Sequence, residues 1–457
     1  MAKLPKIQLG QKPTYVKFAE DVDFLDLFKK IERHSESCFI FESLGEEGKF
    51  SRYSILGFDP EHIISGRGKT LTIDGMEYKV ENPYLALRDI MPARALGREY
   101  AGGLIGYLSY EALMYFEPSL KIKTHDTFEQ FMFGVYTDGL IHDKQTNELI
   151  YFFYEKDRSS TLRTIMEETS RGESFKATFV ADGLSESEHA KVVEDVKELI
   201  RAGNTFQCEV GFKSNYSIEG SPVHVYERLR EVNPSPFMYF LKFNDPSTGS
   251  GQAKKIIGAS PELLFSLRDG EMTTRPLAGT IRRGKDEKED QQLARELVND
   301  PKERAEHTML VDLHRNDIGK VAEFGSVRVK DLMSVKKFSH VQHISSEITG
   351  TIRRGEDMFS ALAANFPAGT VTGTPKIEAI KIIDKNEPEA RGPYGGGVGH
   401  FGFNGDCTFA LALRSVFVDG NNAYAQTSGG IVYDSEPKKE YQEIRNKLAA
   451  MKRVLEQ

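Results

Sequence analysis

Two Glu-x-x-Glu pairs stand far apart in this chain. One is Glu303 and Glu306 in PKERAEHTML, the other Glu440 and Glu443 in DSEPKKEYQEIRNK. Residues three apart share a face of a helix. Two such helices brought together would put four carboxylates in one place. Bare carboxylates repel one another unless protons or a cation intervene. A hard, oxygen-preferring ion such as Mg²⁺ answers that charge and keeps positions open for an anionic substrate. Periodicity favours this over two solvated faces. Glu303, Glu306, Leu310 and Leu313 fall on one stripe, so Glu306 points with the leucines toward the interior. In the last helix Tyr441, Ile444, Leu448 and Met451 form the packed stripe, with Glu440, Glu443 and Lys447 along its edge. The structural alternative is a buried ion-pair network with Arg304, Arg315 or Arg445.

Four other groups could do chemistry. AGTVTGTPKIEAIKII puts small residues and hydroxyls ahead of a helix starting near Pro375, whose first N–H groups suit an anion. The spacing is not that of a P-loop. TSGGIVY carries Gly429 and Gly430, which admit a ligand to the backbone or make a bulge. Arg414 alternates with apolar residues in FALALRSVFV, as a surface charge or a carboxylate clamp. His343 sits in the strand-like run HVQHISSEI, a context in which a lone histidine is usually structural.

These groups need elements to position them. To about residue 155 the chain reads as hairpins, with Asp74-Gly75 turning TLTIDGMEYKV and two turns in VYTDGLIHDKQTNELIYFFYE. The polar stretch 156–184 reads as a linker between an N-terminal domain, 1–155, and a larger domain, 185–457. Ser185 and Glu188 form a capping box before KVVEDVKELI. A hairpin turns at Asp269-Gly270, and two helices divide near Pro301. YGGGVGHFGFNGDCTFALALRSVFVDGNNAYAQTSGGIVY reads as three strands turning at Asn404-Gly405 and Asp419-Gly420. A long helix from about Pro437 closes the chain. Hairpins with helices gathered elsewhere predict an α+β fold.

The 457 residues suffice for a large core, and a net charge of −8 argues against a general nucleic-acid binder. Cys38, Cys208 and Cys407 are too few and too scattered for a disulfide or metal framework. The start lacks a signal-peptide apolar run and no segment is apolar enough to span a membrane, so a cytoplasmic location is expected.

Taken in order, Arg275–Gly284, Glu303–Lys320, Phe366–Lys376 and Arg391–Lys447 resemble the chorismate-utilising enzymes over nearly the whole chain. The resemblance implies two packed, mainly antiparallel β-sheets with helices outside. It implies chorismate held through Mg²⁺, with Glu306 and Glu443 as principal ligands and Glu303 and Glu440 supporting. The Thr370 region and the backbone of Ser428, Gly429 and Gly430 would grip the ring carboxylate. Tyr394, Arg414 and Lys447 would contact the enolpyruvyl carboxylate. Glu262 in GASPELLF matches the general acid for departure of the C4 hydroxyl, which requires a raised pKa. His343 matches the histidine of the later pyruvate elimination, and Thr280 in PLAGT another active-site position.

Water-adding relatives carry Lys where this chain has Gln207. An amide cannot deprotonate water, whereas ammonia needs no such base. Ala278 stands where relatives that aminate C4 carry Lys. Both features point to ammonia adding at C2, then pyruvate loss, giving anthranilate; 4-amino-4-deoxychorismate is the alternative product. No glutamine-hydrolysing domain is visible, so the resemblance implies a separate glutamine amidotransferase subunit as the ammonia source. Segments FIFES and NPSPFMYF, with Ser43, Asn233, Pro234, Ser235 and Met238, resemble the site of tryptophan feedback inhibition.

Overall fold

Strand-forming runs closed by tight turns build two large sheets. The computed structural model describes the chain except residues 1–3, 20–21, 45–50, 98–99, 170–171, 173, 245–252, 339–340 and 457. Every strand pairing between named strands is antiparallel among the described residues. The expected turns are present: Asp74-Gly75 and Asp269-Gly270 both have positive φ at each residue, 48° and 80°, then 48° and 82°. That geometry matches the twist of the flanking strands.

Each sheet draws strands from both ends of the chain. In the first, Cys38–Glu42 lies beside Phe237–Phe243, and Gln207–Gly220 beside Asn422–Ile431. In the second, Gly103–Leu108 lies beside Gly397–Gly402, and Leu277–Arg282 beside Val341–Thr351. Residues 156–184, read as a linker, contain helix Ser159–Met166 and the edge strand Phe175–Asp182. Strands from before and after that stretch pair directly with one another.

An aromatic core fills the space between the sheets, including Phe39, Tyr107, Tyr136, Phe152, Tyr239, Tyr394 and Phe417. Helices cover the outer faces. Helix Pro437–Glu456 buries Ile444, Leu448, Met451, Val454 and Leu455 against the first sheet. Helix Pro301–Gly319 packs on the second, against Leu277–Arg282 and Val341–Thr351. The α+β expectation of two packed antiparallel sheets with helices outside is met.

One strand prediction fails in an informative way. FALALRSVFV is not a single strand. Cys407–Leu411 belongs to the second sheet and Ser415–Asp419 to the first. The chain changes sheets at Leu413 and Arg414, and Arg414 takes φ 48°. Unbroken apolar alternation hid the junction, because both halves are buried strands with the same pattern. The final region therefore holds four strands, not three.

Candidate active site

Helix Pro301–Gly319 starts where its sequence dictates. Asp300 caps it, accepting from the backbone N–H of Lys302 and Glu303 at 2.8 and 3.1 Å, and Pro301 takes the first helical position. The buried face is His307, Leu310, Val311, His314, Asp317 and Ile318. Glu303, Glu306 and Leu313 are half-buried on its flank. Glu306 thus borders an opening rather than entering the interior, because the packed stripe is rotated by about one residue toward His307 and His314. Two contacts fix the helix. His307 Nε2 meets Ser346 Oγ at 2.7 Å, and the Lys376 ammonium donates to Asp317 at 2.5 Å. Lys376, at the helix start expected to hold an anion, is therefore paired within the protein.

The acids of the two helices sense one another. Burial raises the Glu303 carboxyl, and Glu306 and Glu443 raise it further. Burial likewise raises Glu440, with Glu443 adding to it. Glycines make room for the outer pair. A Cβ on Gly279 would lie 2.8 Å from Glu303 Oε2, and one on Gly429 3.6 Å from Glu440 Oε2. The arginine network does not form: Arg315 bonds Asp312 and Arg445 bonds Asp182, and no ion pair of Arg304 appears among the described residues. The cation present is Lys447, 2.8 Å from Glu443 and donating to the Ser428 carbonyl at 2.9 Å. Among the described residues no three His, Cys, Asp or Glu side chains are gathered into metal-holding geometry as they lie.

The floor is made by strands Gln207–Gly220 and Asn422–Ile431, with Glu209 opposite Gly430, Val210 opposite Gly429 and Gly211 opposite Ser428. Gly429 and Gly430 lie in regular pairing, so they form no bulge. Gln207 Nε2 donates to Glu306 Oε1 at 3.2 Å, tying floor to helix. Tyr394 and Ser428 hydroxyls meet at 3.0 Å, and Ser428 donates to Glu209 Oε2 at 2.7 Å.

Glu209 escaped the sequence reading. Burial pushes its carboxyl up to about 7, with Lys447 and the Ser428 hydroxyl opposing and Glu306 and Glu443 reinforcing. A signal was present: Gln207 and Glu209 are polar residues two apart that alternate with Cys208 and Val210 at the start of the strand, which puts both on one face. Its backbone is fully engaged. The N–H donates to Thr372 O at 2.8 Å, and Arg391 Nη2 donates to its carbonyl at 2.8 Å. Arg391 is itself 2% exposed and pairs with Glu387.

Across the floor lie an acid and a base. Glu262 is buried, and burial raises it to about 8, so the carboxyl is protonated at neutral pH. Thr370 Oγ1 donates to its Oε1 at 2.8 Å, which commits this hydroxyl to the acid. Thr280 and His343 are direct cross-strand partners. Gly279 bulges that strand at φ 63° and turns two oxygens toward the ring. Nδ1 of His343 lies 2.9 Å from the Gly279 carbonyl and 3.0 Å from Thr280 Oγ1. A carbonyl can only accept, so Nδ1 carries the proton and Nε2 is a free base. Burial, then Arg414, lowers the ring to about 4. Arg414 Nη2 stands 3.5 Å from His343 Nε2, and its Nη1 donates to Asn233 Oδ1 at 3.4 Å. Arg414 is therefore an inward-reaching group at a sheet junction, not a residue of a strand.

A second opening lies between the sheets. It is a cavity of about 110 Å³ lined by Phe41, Ser43, Tyr100, Met238, Val398, His400 and others. Ser43 and Met238, two of the residues read from the sequence as an inhibitor site, line it. Asn233, Pro234 and Ser235 do not; they form the turn leading to it, where Asn233 faces Arg414. The Ser43 and Tyr100 hydroxyls are buried and, among the described residues, make no hydrogen bond.

A paired acid and free base, facing acidic helices across a glycine floor, define an enzyme for a small anionic substrate. The chain matches the model of the chorismate binding enzyme family over residues 36–453. It is 50% identical to anthranilate synthase component 1 of Leptospira biflexa, over 99% of this chain and 98% of that protein. It is 36% identical to aminodeoxychorismate synthase component 1 of Bacillus subtilis, over 96% of each. Its fold matches the crystal structure of anthranilate synthase component I from Streptococcus pneumoniae with a TM-score of 0.76 and 32% identity, over 89% of this chain and 93% of that one. The chain belongs to the chorismate binding enzyme family. Among the described residues no helix is long and apolar enough to cross a membrane.

Proposed function

We propose that this chain is the chorismate-aminating subunit of an anthranilate synthase, converting chorismate and ammonia into anthranilate and pyruvate. The observation that carries the reading is the Gln207 amide bonded to Glu306 at 3.2 Å, where water-adding relatives place a lysine. The relatives named anthranilate synthase support it. Amination at C4 is disfavoured because it would use an amine at position 278, and Ala278 is buried and apolar.

The all-oxygen donor set on two helices, with acids that raise one another, suits Mg²⁺. Glu306 and Glu443 would hold it, with Glu303 and Glu440 supporting. When bound, the ion supplies charge neutralisation for the ring carboxylate. The protein's own groups do the rest. Lys447, Tyr394 and Arg414 bind the enolpyruvyl carboxylate. Ammonia forms the C2–N bond as the C4–O bond breaks, and Glu262 gives its proton to the departing oxygen, releasing water. The proton in excess on the new amine returns to Glu262. Nε2 of His343 then accepts the C2 proton as the ring C3–O bond breaks, leaving the aromatic ring, and the departing enolpyruvate takes up a proton at its CH2 carbon to become pyruvate.

The inter-sheet cavity is the seat for tryptophan as feedback inhibitor, and the Ser43 and Tyr100 hydroxyls, unpaired among the described residues, are the polar partners. A separate glutamine amidotransferase subunit supplies ammonia, and the complex works in the cytoplasm. The test is incubation of the chain with chorismate, Mg²⁺ and ammonium, with product identification, with and without tryptophan. Anthranilate formed only with both Mg²⁺ and ammonium, and reduced by tryptophan, is the expected result. A product formed without ammonium, or 4-amino-4-deoxychorismate, overturns the reading.

A further inference from the structure

Glu209 has no place in the chemistry above, yet it occupies the middle of the cleft. It stands on the same strand face as Gln207, two residues along. A Cβ on Gly430 would lie 2.7 Å from Gln207 Nε2 and 2.7 Å from Glu209 Oε1. Both side chains therefore close over one glycine, and Gln207 reaches on to Glu306. The carboxylate is divided in function by its contacts. Oε2 accepts the Ser428 hydroxyl at 2.7 Å. Among the described residues Oε1 accepts no hydrogen bond, and Glu209 as a whole is half-buried.

Its position is rigid. The backbone N–H is bonded to Thr372 and the carbonyl to Arg391. Arg391 in turn holds the Val371 carbonyl, next to Thr370 and so to Glu262. The carboxylate is thus fixed relative to the acid opposite. A preorganised carboxylate oxygen with a free lone pair is an acceptor, and the nucleophile of this reaction is rich in N–H donors.

We propose that Glu209 Oε1 is the acceptor that seats the incoming ammonia, orienting its lone pair toward the ring, and so sets the enzyme's affinity for that nucleophile. The assignment rests on ammonia being the nucleophile. Gln207 has an N–H engaged on Glu306, so the carboxylate beside it provides the charge-assisted contact. No proton transfer is required of Glu209 in this role: it binds and orients, and the bond making and breaking remain those already described.

The test uses the full chain and its variants Glu209→Gln and Glu209→Asp, assayed for anthranilate with ammonium, chorismate and Mg²⁺ varied in turn. At about pH 8, where the Glu209 carboxyl is mostly ionised, the charge-assisted hydrogen bond predicts KM for ammonium raised at least about tenfold in Glu209→Gln. KM for chorismate and the Mg²⁺ requirement should stay within about twofold, because those contacts come from other residues. Thermal melting of each variant checks folding. If Glu209→Gln does not fold, Glu209→Asp, which keeps the charge but withdraws the oxygen, gives the same reading. An unchanged ammonium KM, or a change confined to chorismate or Mg²⁺, overturns the assignment while leaving anthranilate formation by the parent intact. A parent that forms no anthranilate overturns the choice of ammonia and the assignment with it.

Discussion

The cleft and the inter-sheet cavity differ in how much of their lining is coupled charge. The cleft gathers Glu209, Glu262, Glu306, Glu443, Lys447, Arg414 and His343, most of them bonded to one another or to the backbone. The cavity is mainly aromatic and aliphatic, with Glu42, Arg268 and Asp406 also in its lining and two hydroxyls, Ser43 and Tyr100, unpaired among the described residues. In the cleft, charge is the working quantity, and burial moves Glu262 and His343 in opposite senses, to about 8 and about 4. In the cavity His400 is kept neutral: burial, with Arg268 adding to it, lowers it to about 3, and its ring meets Tyr100 edge-on at 5.7 Å. Coupled charges give large responses to single changes, whereas apolar contact gives small, nearly additive ones. The two regions should therefore answer mutation very differently.

The largest separation comes from Glu262→Gln. Loss of a general acid lowers kcat by roughly 10²–10⁴-fold. Stabilisation of the folded chain by tryptophan, read as a thermal shift, should persist. A variant that loses both would show the two regions to be one unit.

Next is Arg391→Ala, which strands Glu387 without its partner in the interior. Breaking a buried pair costs about 3–5 kcal/mol. A urea unfolding curve should show it, and a change below about 1 kcal/mol would mean that the floor of the cleft does not depend on this pair.

The pH profile sharpens the contrast in chemistry. Glu262 is competent when protonated, so turnover should fall as pH rises through about 8. Nε2 of His343 is competent when free, so an acid limb is expected near 4. The linkage sign follows. The Glu262 pKa in the folded chain is above its usual value, so its contribution to stability is fully present at low pH and is lost as pH rises through about 8. Glu262→Gln should therefore flatten the stability curve between about 4.5 and about 8. Equal slopes for parent and variant would count against a raised carboxyl.

The smallest effect belongs to the cavity. Ser43→Ala removes a hydroxyl that makes no hydrogen bond among the described residues, so stability should change by less than about 0.5 kcal/mol. Tryptophan inhibition should weaken by about 0.5–1.5 kcal/mol, a few-fold rise in the inhibitory concentration. Unchanged inhibition would place the ligand elsewhere.

Local signals carried much of this molecule. The Asp-Gly turns, the Ser185–Glu188 capping box and the helices around Pro301 and Pro437 were all legible, because each depends on a few neighbouring residues. The carboxylate pairs were legible from their spacing, although the degree of burial of Glu306 was not, since a flank residue and a core residue share the same period. Of the residues named together from the sequence, Ser43 and Met238 line the cavity and Asn233, Pro234 and Ser235 do not, because a turn motif does not say which of its residues faces inward. Glu209 was overlooked: on a single strand its carboxyl looks like any outward charge until Ser428 arrives from a strand far along the chain.

The amino-acid sequence by itself determined which segments became helices, which hairpins turned, and that four glutamates would lie on two helix faces, since those follow from spacing and turn chemistry within a few residues. Only the tertiary structure decided that the chain would change sheets at Arg414, that Glu209 would come near enough to Glu262 to raise its carboxyl, and that the first and last thirds of the chain would share their sheets. Those outcomes depend on pairings between residues hundreds of positions apart, where hydrogen-bond register and burial, not local preference, set the free energy.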